Sequence, residues 1–239
     1  MATFVLVHGS WHAAWCWHKI VSRLEAKGHT VFVPDLPAHG RRWGVHKDIG
    51  LEHYVEAVCA DIDRADEPVV LVAHSRGGIV ASQTAEARPG RIAALVYLAA
   101  FLLPNGERVL EYGLSDKDSL IGRNLDVNPE AGFDMLRTDA FRAALYHDCG
   151  EDDVALAHLL LTPEPLRPTM TPLKLTPEKF GSVRRFYIEL SQDRAVTASL
   201  QRRMYEAMPC ERVMTIDSSH SAYFSRPDEL TAHILSVTR

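Results

Sequence analysis

The strongest constraint on this chain is its regular alternation of short, branched apolar runs with longer amphipathic stretches. Near-continuous apolar runs are typical of strands that are buried on both faces of a parallel sheet. Most of the stretches between them have helical spacing and end at Gly or before Pro. We therefore predict an α/β fold, a doubly wound, mostly parallel sheet flanked by helices. The strands are expected at 3–7, 30–34, 69–73, 92–98, 185–190 and 212–216, and the helices at 15–27, 51–64, 77–87, 197–208 and 227–237.

The segment 104–181 interrupts this alternation. It has no strong strand pattern, and its short helical runs are followed by the Pro-rich stretch "TPEPLRPTMTPLKLTPEKF". We interpret it as a small helical cap inserted over the carboxyl ends of the strands. Residues 1–103 and 182–239 then form the core of a single structural domain, which a chain of 239 residues is long enough to build.

The stretch "VVLVAHSRGG", residues 69–78, places a serine between a predicted strand and a predicted helix. In a doubly wound sheet, functional residues gather at the carboxyl ends of the strands. The pattern small-x-Ser-x-Gly fits a nucleophile elbow with Ala73 in the first glycine position. Ala73 and Gly77 are small because such a turn packs strand against helix with little clearance. We therefore interpret Ser75 as a nucleophile rather than a structural serine.

A serine at its ordinary pKa is a poor nucleophile and needs a base, which in turn needs an orienting acid. In this fold the order along the chain is Ser, acid, His. His220 follows the last predicted strand and is the candidate base. Asp193 follows the preceding strand and is the favoured acid, with Asp217 as the alternative. Four other histidines lie inside a helix, in the insertion, or beside the serine but facing away: His233, His147, His158 and His74.

The loop after the first strand, "VLVHGSWH", is the expected source of an oxyanion donor. Gly9 lets the backbone turn, so that the Ser10 N–H can face the N–H of Arg76, the residue after the nucleophile. Two such donors stabilise the negative charge that develops on a tetrahedral intermediate. His8 is expected to form structural hydrogen bonds in this loop.

Composition argues against several other classes of function. A formal net charge of −5 gives no electrostatic reason to bind nucleic acid or an anionic membrane. Neither a secretory signal nor an apolar run of membrane length is apparent, so a cytoplasmic location is expected. The scattered histidines lack metal-ligand spacing, and no metal site is expected. The cysteines have no paired spacing and are expected to be reduced thiols: Cys16, Cys59, Cys149 and Cys210.

Segments spread over most of the chain carry a family resemblance: "FVLVHGSWHAAWCWHKIVSRLEAKGHTVFVPDL", "LVAHSRGG", "GRIAALVYLAAFLLP", "FRAALYHDCGEDDVALAHLLL" and "FGSVRRFYIELSQDRAV" with "LQRRM". They resemble the plant methylesterase and hydroxynitrile lyase family of α/β-hydrolases and its bacterial relatives, and the likeness is weakest over 105–138. The resemblance implies no cofactor, an ester substrate with a small apolar or aromatic part, and a homodimer formed through the cap side. It assigns the triad to Ser75, Asp193 and His220, and the oxyanion hole to the amides of Ser10 and Arg76.

The resemblance also separates two chemistries. Hydroxynitrile lyases of this family have threonine at the position of Gly9 and a cyanide-binding lysine at the position of Ser221, so both residues favour an esterase. Relatives that decarboxylate β-keto acids have lost the serine, which Ser75 argues against. Arg76 departs from the plant pattern, where an apolar residue is usual. Its side chain either forms a structural ion pair or offers a cation to substrates that carry a carboxylate or phenolate.

The leading hypothesis is a serine hydrolase, similar to carboxylesterases and methylesterases, that cleaves a small-molecule ester through an acyl-enzyme. The alternatives are a lyase of the hydroxynitrile type that uses the same triad, and a non-catalytic small-molecule binding protein. Candidate pocket residues, each of which fits equally well as ordinary core, are Trp11, Phe101, Tyr112, Phe133, Leu136, Tyr146 and Leu160.

Overall fold

The six predicted apolar runs pair side by side in one parallel sheet. The computed structural model of the chain describes residues 1–44 and 46–238. Its strands are β1 (Thr3–Val7), β2 (Thr30–Phe32), β3 (Val69–His74), β4 (Ile92–Leu98), β5 (Leu125–Asn128), β6 (Phe133–Leu136), β7 (Glu164–Pro165), β8 (Arg185–Leu190) and β9 (Arg212–Ile216). The large sheet has the order β2-β1-β3-β4-β8-β9, and each of its pairings is parallel. The predicted doubly wound sheet is confirmed, with β2 two residues shorter than expected.

Helices cover both faces of this sheet. They are α1 (His18–Glu25), α2 (Leu51–Ile62), α3 (Gly77–Ala87), α4 (Val109–Ser115), α5 (Phe141–Leu145), α6 (Glu151–Leu160), α7 (Leu166–Met170), α8 (Ala198–Ala207), α9 (Ala222–Ser225) and α10 (Pro227–Ser236). Single 3-10 turns occupy Ala14–Trp17, Gly40–Arg42, Pro89–Arg91, Gly122–Asn124, Thr138–Ala140 and Phe180–Ser182. Among the described residues, no helix is long and apolar enough to cross a bilayer.

Alternation along each strand divides the core into two layers. In β1, Phe4 and Leu6 pack in one buried cluster with residues of α1 and α10. The intervening Val5 and Val7 pack in the other, with residues of α2, α3 and α8. Successive side chains of a strand point to opposite faces, so an uninterrupted apolar run is what a sheet buried on both faces requires.

The insertion between β4 and β8 is only partly as predicted. It contains the expected short helices α4 to α7, but also a small antiparallel sheet in the order β5-β6-β7. The helices of the predicted small helical cap are present, and the small sheet is an addition that the prediction lacked. These strands have four, four and two residues, and β5 is largely exposed, so they leave no apolar run or sustained alternation in the sequence.

The turn from β3 to α3 brings backbone segments unusually close together. Ser75 has a φ of 54°, in the left-handed region that non-glycine residues rarely adopt. A Cβ on Gly77 would lie 2.7 Å from the His8 carbonyl oxygen. A Cβ on Gly78 would lie 2.9 Å from the Phe101 amide nitrogen and closer still to that residue's carbonyl oxygen. Both glycines are therefore required by contact with neighbouring loops.

We expect Gly78→Ala to lower the free energy of unfolding by about 1–3 kcal/mol, because the added methyl group meets rigid backbone. Gly113→Ala is the matched control, a glycine in α4 whose added Cβ has nothing within 4 Å. Alanine is the better helix former there, so the control should be stabilised by up to about 1 kcal/mol. Urea unfolding of both variants measures the difference, and equal midpoints would contradict the steric interpretation.

Candidate active site

Ser75 faces a pocket that lies between the sheet and the insertion. The pocket has about 810 Å³ of empty volume, including space open to solvent, and His220 and the Ser10 and Arg76 residues also line it. Most of its remaining wall is apolar, supplied partly by the insertion and partly by the core: Val109, Leu110, Leu114, Ile121, Leu125, Phe101, Val196 and Leu200. Such a pocket suits an apolar ligand that reaches the serine.

The structure joins two of the predicted residues directly. His220 Nδ1 lies 2.6 Å from Asp193 Oδ2 in a buried contact. Asp193 Oδ1 accepts the backbone N–H groups of Ala195 (2.7 Å) and Val196 (3.0 Å), which fixes the carboxylate. With Nδ1–H donated to the carboxylate, Nε2 of His220 is left to act as a base. The alternative acid, Asp217, is exposed. It accepts hydrogen bonds from the side chains of Ser191 and Gln192, which lie in the loop after β8.

A buried histidine orients the Ser10 amide. His8 Nε2 accepts the Leu36 N–H at 3.1 Å, so the ring proton is on Nδ1, which lies 2.9 Å from the Gly9 carbonyl oxygen. Burial lowers the pKa of His8, which keeps the ring neutral. The Gly9–Ser10 peptide is trans, and its C=O and N–H therefore point in opposite directions. Because the carbonyl turns toward His8, the Ser10 N–H turns away from it.

Two more buried histidines hold neighbouring carbonyl groups. His12 Nδ1 donates to the Ser10 carbonyl at 2.7 Å, while its Nε2 accepts from the Tyr146 and Tyr223 hydroxyls at 2.5 and 3.0 Å. His74 Nε2 donates to the His220 carbonyl at 2.8 Å. Burial lowers the pKa of His12 to about 3 and that of His74 well below its usual value. Both rings are therefore neutral hydrogen-bonding supports.

The Arg76 side chain turns away from bulk solvent into the protein. It is 6% exposed and forms an ion pair with Glu164 of β7. The same guanidinium contacts the Thr169 hydroxyl and lies 3.4 Å from the Pro165 carbonyl. Arg76 is also the N-cap residue of α3, where backbone N–H groups lack partners within the helix. The structure therefore supports the ion-pair interpretation of this side chain.

The aromatic and aliphatic pocket candidates divide into two groups. Trp11 and Phe101 line the pocket. The others lie elsewhere, which corrects the prediction: Tyr112 packs beneath the Arg203 guanidinium, Phe133 packs beside His46, Leu136 is in the core, Tyr146 is fully buried against His12, and Leu160 is partly exposed. Spacing alone does not tell which apolar side chains of an irregular insertion face a cavity.

Sequence reasoning missed the polar residues that the insertion brings to this pocket. Asp134 of β6 lines it and accepts the indole N–H of Trp11 at 2.8 Å, and burial raises the pKa of this carboxyl. Glu164 stands directly opposite Asp134 on the neighbouring strand. No periodic signal marks either residue. Within residues 1–44 and 46–238, no group of three or more His, Cys, Asp or Glu side chains is placed to hold a metal ion.

Comparison with known proteins gives consistent matches. The sequence profile of the alpha/beta hydrolase family matches residues 4–233. Methylesterase 7 of Arabidopsis thaliana is 32% identical over 256 residues, which cover 98% of this chain and 95% of that protein. Putative chloroplastic methylesterase 11 of the same plant is also 32% identical, but the chain spans only 64% of its length. The crystal structure of polyneuridine aldehyde esterase superposes with a TM-score of 0.88 at 26% identity, over all of both chains.

The buried neutral histidines make stability fall in acid. Unfolded His12 binds a proton near pH 6.5, whereas folded His12 does so only near pH 3, so its stabilising contribution is complete above 6.5 and is lost as pH falls. Between pH 7 and 5 this one residue should account for a loss of about 2 kcal/mol in the free energy of unfolding.

His12→Asn retains a donor near the Nδ1 position but cannot titrate. Urea unfolding at pH 7 and 5 should therefore show a pH dependence weaker by about 2 kcal/mol than in the wild type, whatever the variant's absolute stability. An unchanged pH dependence would mean that His12 has the same pKa in the folded protein as in the unfolded chain.

Proposed function

The chain belongs to the alpha/beta hydrolase family, in the branch that contains the methylesterases, and we propose that it is a serine carboxylesterase. Its substrate is a small-molecule ester, a methyl or other short-alcohol ester with an apolar or aromatic acyl part. The observation that carries this proposal is the buried contact of 2.6 Å between His220 and Asp193, beside Ser75 in one mostly apolar pocket. The names of the relatives support the ester chemistry.

In the proposed reaction, His220 Nε2 takes the proton of Ser75 Oγ as that oxygen attacks the ester carbonyl carbon. The tetrahedral oxyanion accepts hydrogen bonds from the Ser10 and Arg76 amides. When it collapses, the bond to the alcohol oxygen breaks, and His220 returns the proton to the departing alcohol. Water then repeats these steps on the acyl-enzyme and releases the acid. Asp193 stays ionised and holds the imidazole in the required tautomer.

The composition of the pocket supports a neutral acyl group. Arg76, the cation beside Ser75, is already paired with Glu164, and Asp134 adds a carboxylate to the wall. Among the described residues that line the pocket, an anionic acyl group would therefore find no unpaired arginine or lysine. We assign residues 104–181 the role of a cap over the core of residues 1–103 and 182–239, because Leu110, Leu114 and Leu125 close one side of the pocket.

Two residues favour ester hydrolysis over cleavage of a cyanohydrin. A Cβ on Gly9 would lie 2.7 Å from the Ser75 Cβ, so the backbone at this position has no room for the threonine of the lyases. Ser221 is buried, and its hydroxyl donates to Tyr223 at 3.1 Å. It supplies no positive charge to hold a cyanide leaving group.

The proposal extends to the location and assembly of the protein. The cysteines carry free thiols, three of them buried, which suits a reducing compartment, and we place the protein in the cytoplasm. A homodimer formed through the cap side rests on the family resemblance.

We expect Ser75→Ala to lower kcat on p-nitrophenyl butyrate by about 10³-fold or more, because the nucleophile is removed while the oxyanion donors remain. Ser22→Ala is the control, since this hydroxyl bonds to the Lys19 carbonyl in α1 and has no role at the pocket. A fluorophosphonate should label the wild type and Ser22→Ala but not Ser75→Ala. Near wild-type turnover in a folded Ser75→Ala protein would rule out the serine mechanism.

The two candidate acids are separated by a matched pair of substitutions. Asp193→Asn should lower kcat by about 10³- to 10⁴-fold, because an amide cannot hold the Nδ1–H tautomer of His220 or stabilise its charged form. Asp217→Asn should stay within about threefold of wild type, because this carboxylate only braces Ser191 and Gln192. The reverse order of the two kcat values would reassign the acid.

A further inference from the structure

Glu164 collects an unusual number of hydrogen-bonding partners behind the pocket. It lies on β7, in the insertion, and is 1% exposed. Its Oε2 accepts the backbone N–H of Trp11 at 2.9 Å and lies 3.0 Å from His39 Nε2. Its Oε1 accepts the Tyr54 hydroxyl at 2.6 Å and pairs with the Arg76 guanidinium. One carboxylate therefore contacts both of the loops that carry a proposed oxyanion donor.

On the first loop, Glu164 completes a clamp on a single peptide group. The Ser10 carbonyl accepts from His12, and the N–H of the same peptide, that of Trp11, donates to Glu164. Holding this peptide restricts rotation about the bond between the Cα and the carbonyl carbon of Ser10. The Ser10 N–H belongs to the preceding peptide, whose Gly9 carbonyl is held by His8, so both peptide groups that flank Ser10 are held. Trp11 has a φ of 63°, a left-handed conformation that costs free energy and persists only where surrounding contacts impose it.

On the second loop, Glu164 holds the residue whose amide is the other donor. The Arg76 guanidinium is buried, and a buried cation requires a paired carboxylate. Glu164 meets this requirement from behind the pocket, more than eighty residues away in the chain. The ion pair fixes the Arg76 side chain, and through it the backbone at the start of α3.

We propose that Glu164 is a positioning residue that sets the two amide donors of the oxyanion hole, so that the insertion completes the catalytic centre as well as covering it. This inference rests on the proposed serine esterase activity. Glu164 touches neither substrate nor reacting atoms; it acts through Trp11 and Arg76. Its loss should therefore weaken binding of the tetrahedral state more than binding of the ester itself.

The test is Glu164→Ala, assayed with p-nitrophenyl butyrate and two inhibitors of matched shape. An alkyl trifluoromethyl ketone adds to Ser75 and places an oxyanion in the hole, whereas the corresponding methyl ketone binds without forming that adduct. We expect kcat/KM to fall about 100-fold, the loss typical of one misplaced donor. The inhibition constant of the trifluoromethyl ketone should rise by a similar factor, and that of the methyl ketone by less than about threefold.

Glu189→Ala is the matched control for a purely structural role. Glu189 of β8 is likewise a buried carboxylate with an arginine and a tyrosine as partners, Arg202 at 3.0 Å and Tyr205 at 2.9 Å. Among the described residues, its side chain forms no hydrogen bond to either donor loop. Its replacement should lower the melting temperature and leave the ratio of the two inhibition constants unchanged.

Glu164→Gln serves if the alanine variant does not fold, because it keeps the side-chain size but only one acceptor oxygen. It should lower kcat/KM by about tenfold. The inhibition constant of the trifluoromethyl ketone should rise by the same factor, and that of the methyl ketone should not change. A folded Glu164 variant that affects both ketones equally, or neither, would overturn the positioning role while leaving the esterase proposal intact. Full activity of Ser75→Ala, by contrast, would contradict the serine esterase mechanism itself.

Discussion

The architecture of the site depends on how closely three loops approach one another at the carboxyl ends of β1, β3 and β4. Ser75 sits at their meeting point in a left-handed conformation, its N–H bonded to the Leu98 carbonyl and its carbonyl bonded to the Phe101 N–H. Gly9, Gly77 and Gly78 each lie so near a neighbouring loop that a methyl group would collide with it. Loops packed this tightly fix the position of the serine, but they also exclude the water that would otherwise satisfy their polar groups.

Neutral histidines donate hydrogen bonds to the backbone carbonyl groups that are buried in these loops. A buried carbonyl without a partner costs roughly 1–3 kcal/mol. His8, His12 and His74 each donate one ring N–H to such a carbonyl, at Gly9, Ser10 and His220. A lysine or arginine in these places would add a buried charge, which would require a counter-ion. Neutral imidazole supplies a donor and an acceptor at neutral pH without that charge, and the same burial that keeps it neutral makes the fold sensitive to acid.

What the sequence predicts well is what leaves a local pattern. The six strands of the large sheet are near-continuous apolar runs, and the positions of Ser75, Asp193 and His220 just after three of those strands follow from the same pattern. The insertion follows different rules, because β5, β6 and β7 are short and partly polar. The hydrogen bond between Trp11 and Glu164 joins residues 153 positions apart, and no sequence pattern at either residue indicates that they meet. Tyr146 is predicted as a pocket residue or as ordinary core, and in the structure it is buried with its hydroxyl bonded to His12.

The two carboxylates of the small sheet take their partners from the core. Asp134 and Glu164 are directly opposed on β6 and β7, an arrangement in which like charges repel. Arg76 pairs with Glu164, and Trp11 bonds to both carboxylates, through its backbone N–H to Glu164 and its indole N–H to Asp134. Away from the core this pair of carboxylates would lose its cation and both Trp11 donors. The β6-β7 pairing is thus stabilised by the same residues that border the proposed oxyanion hole.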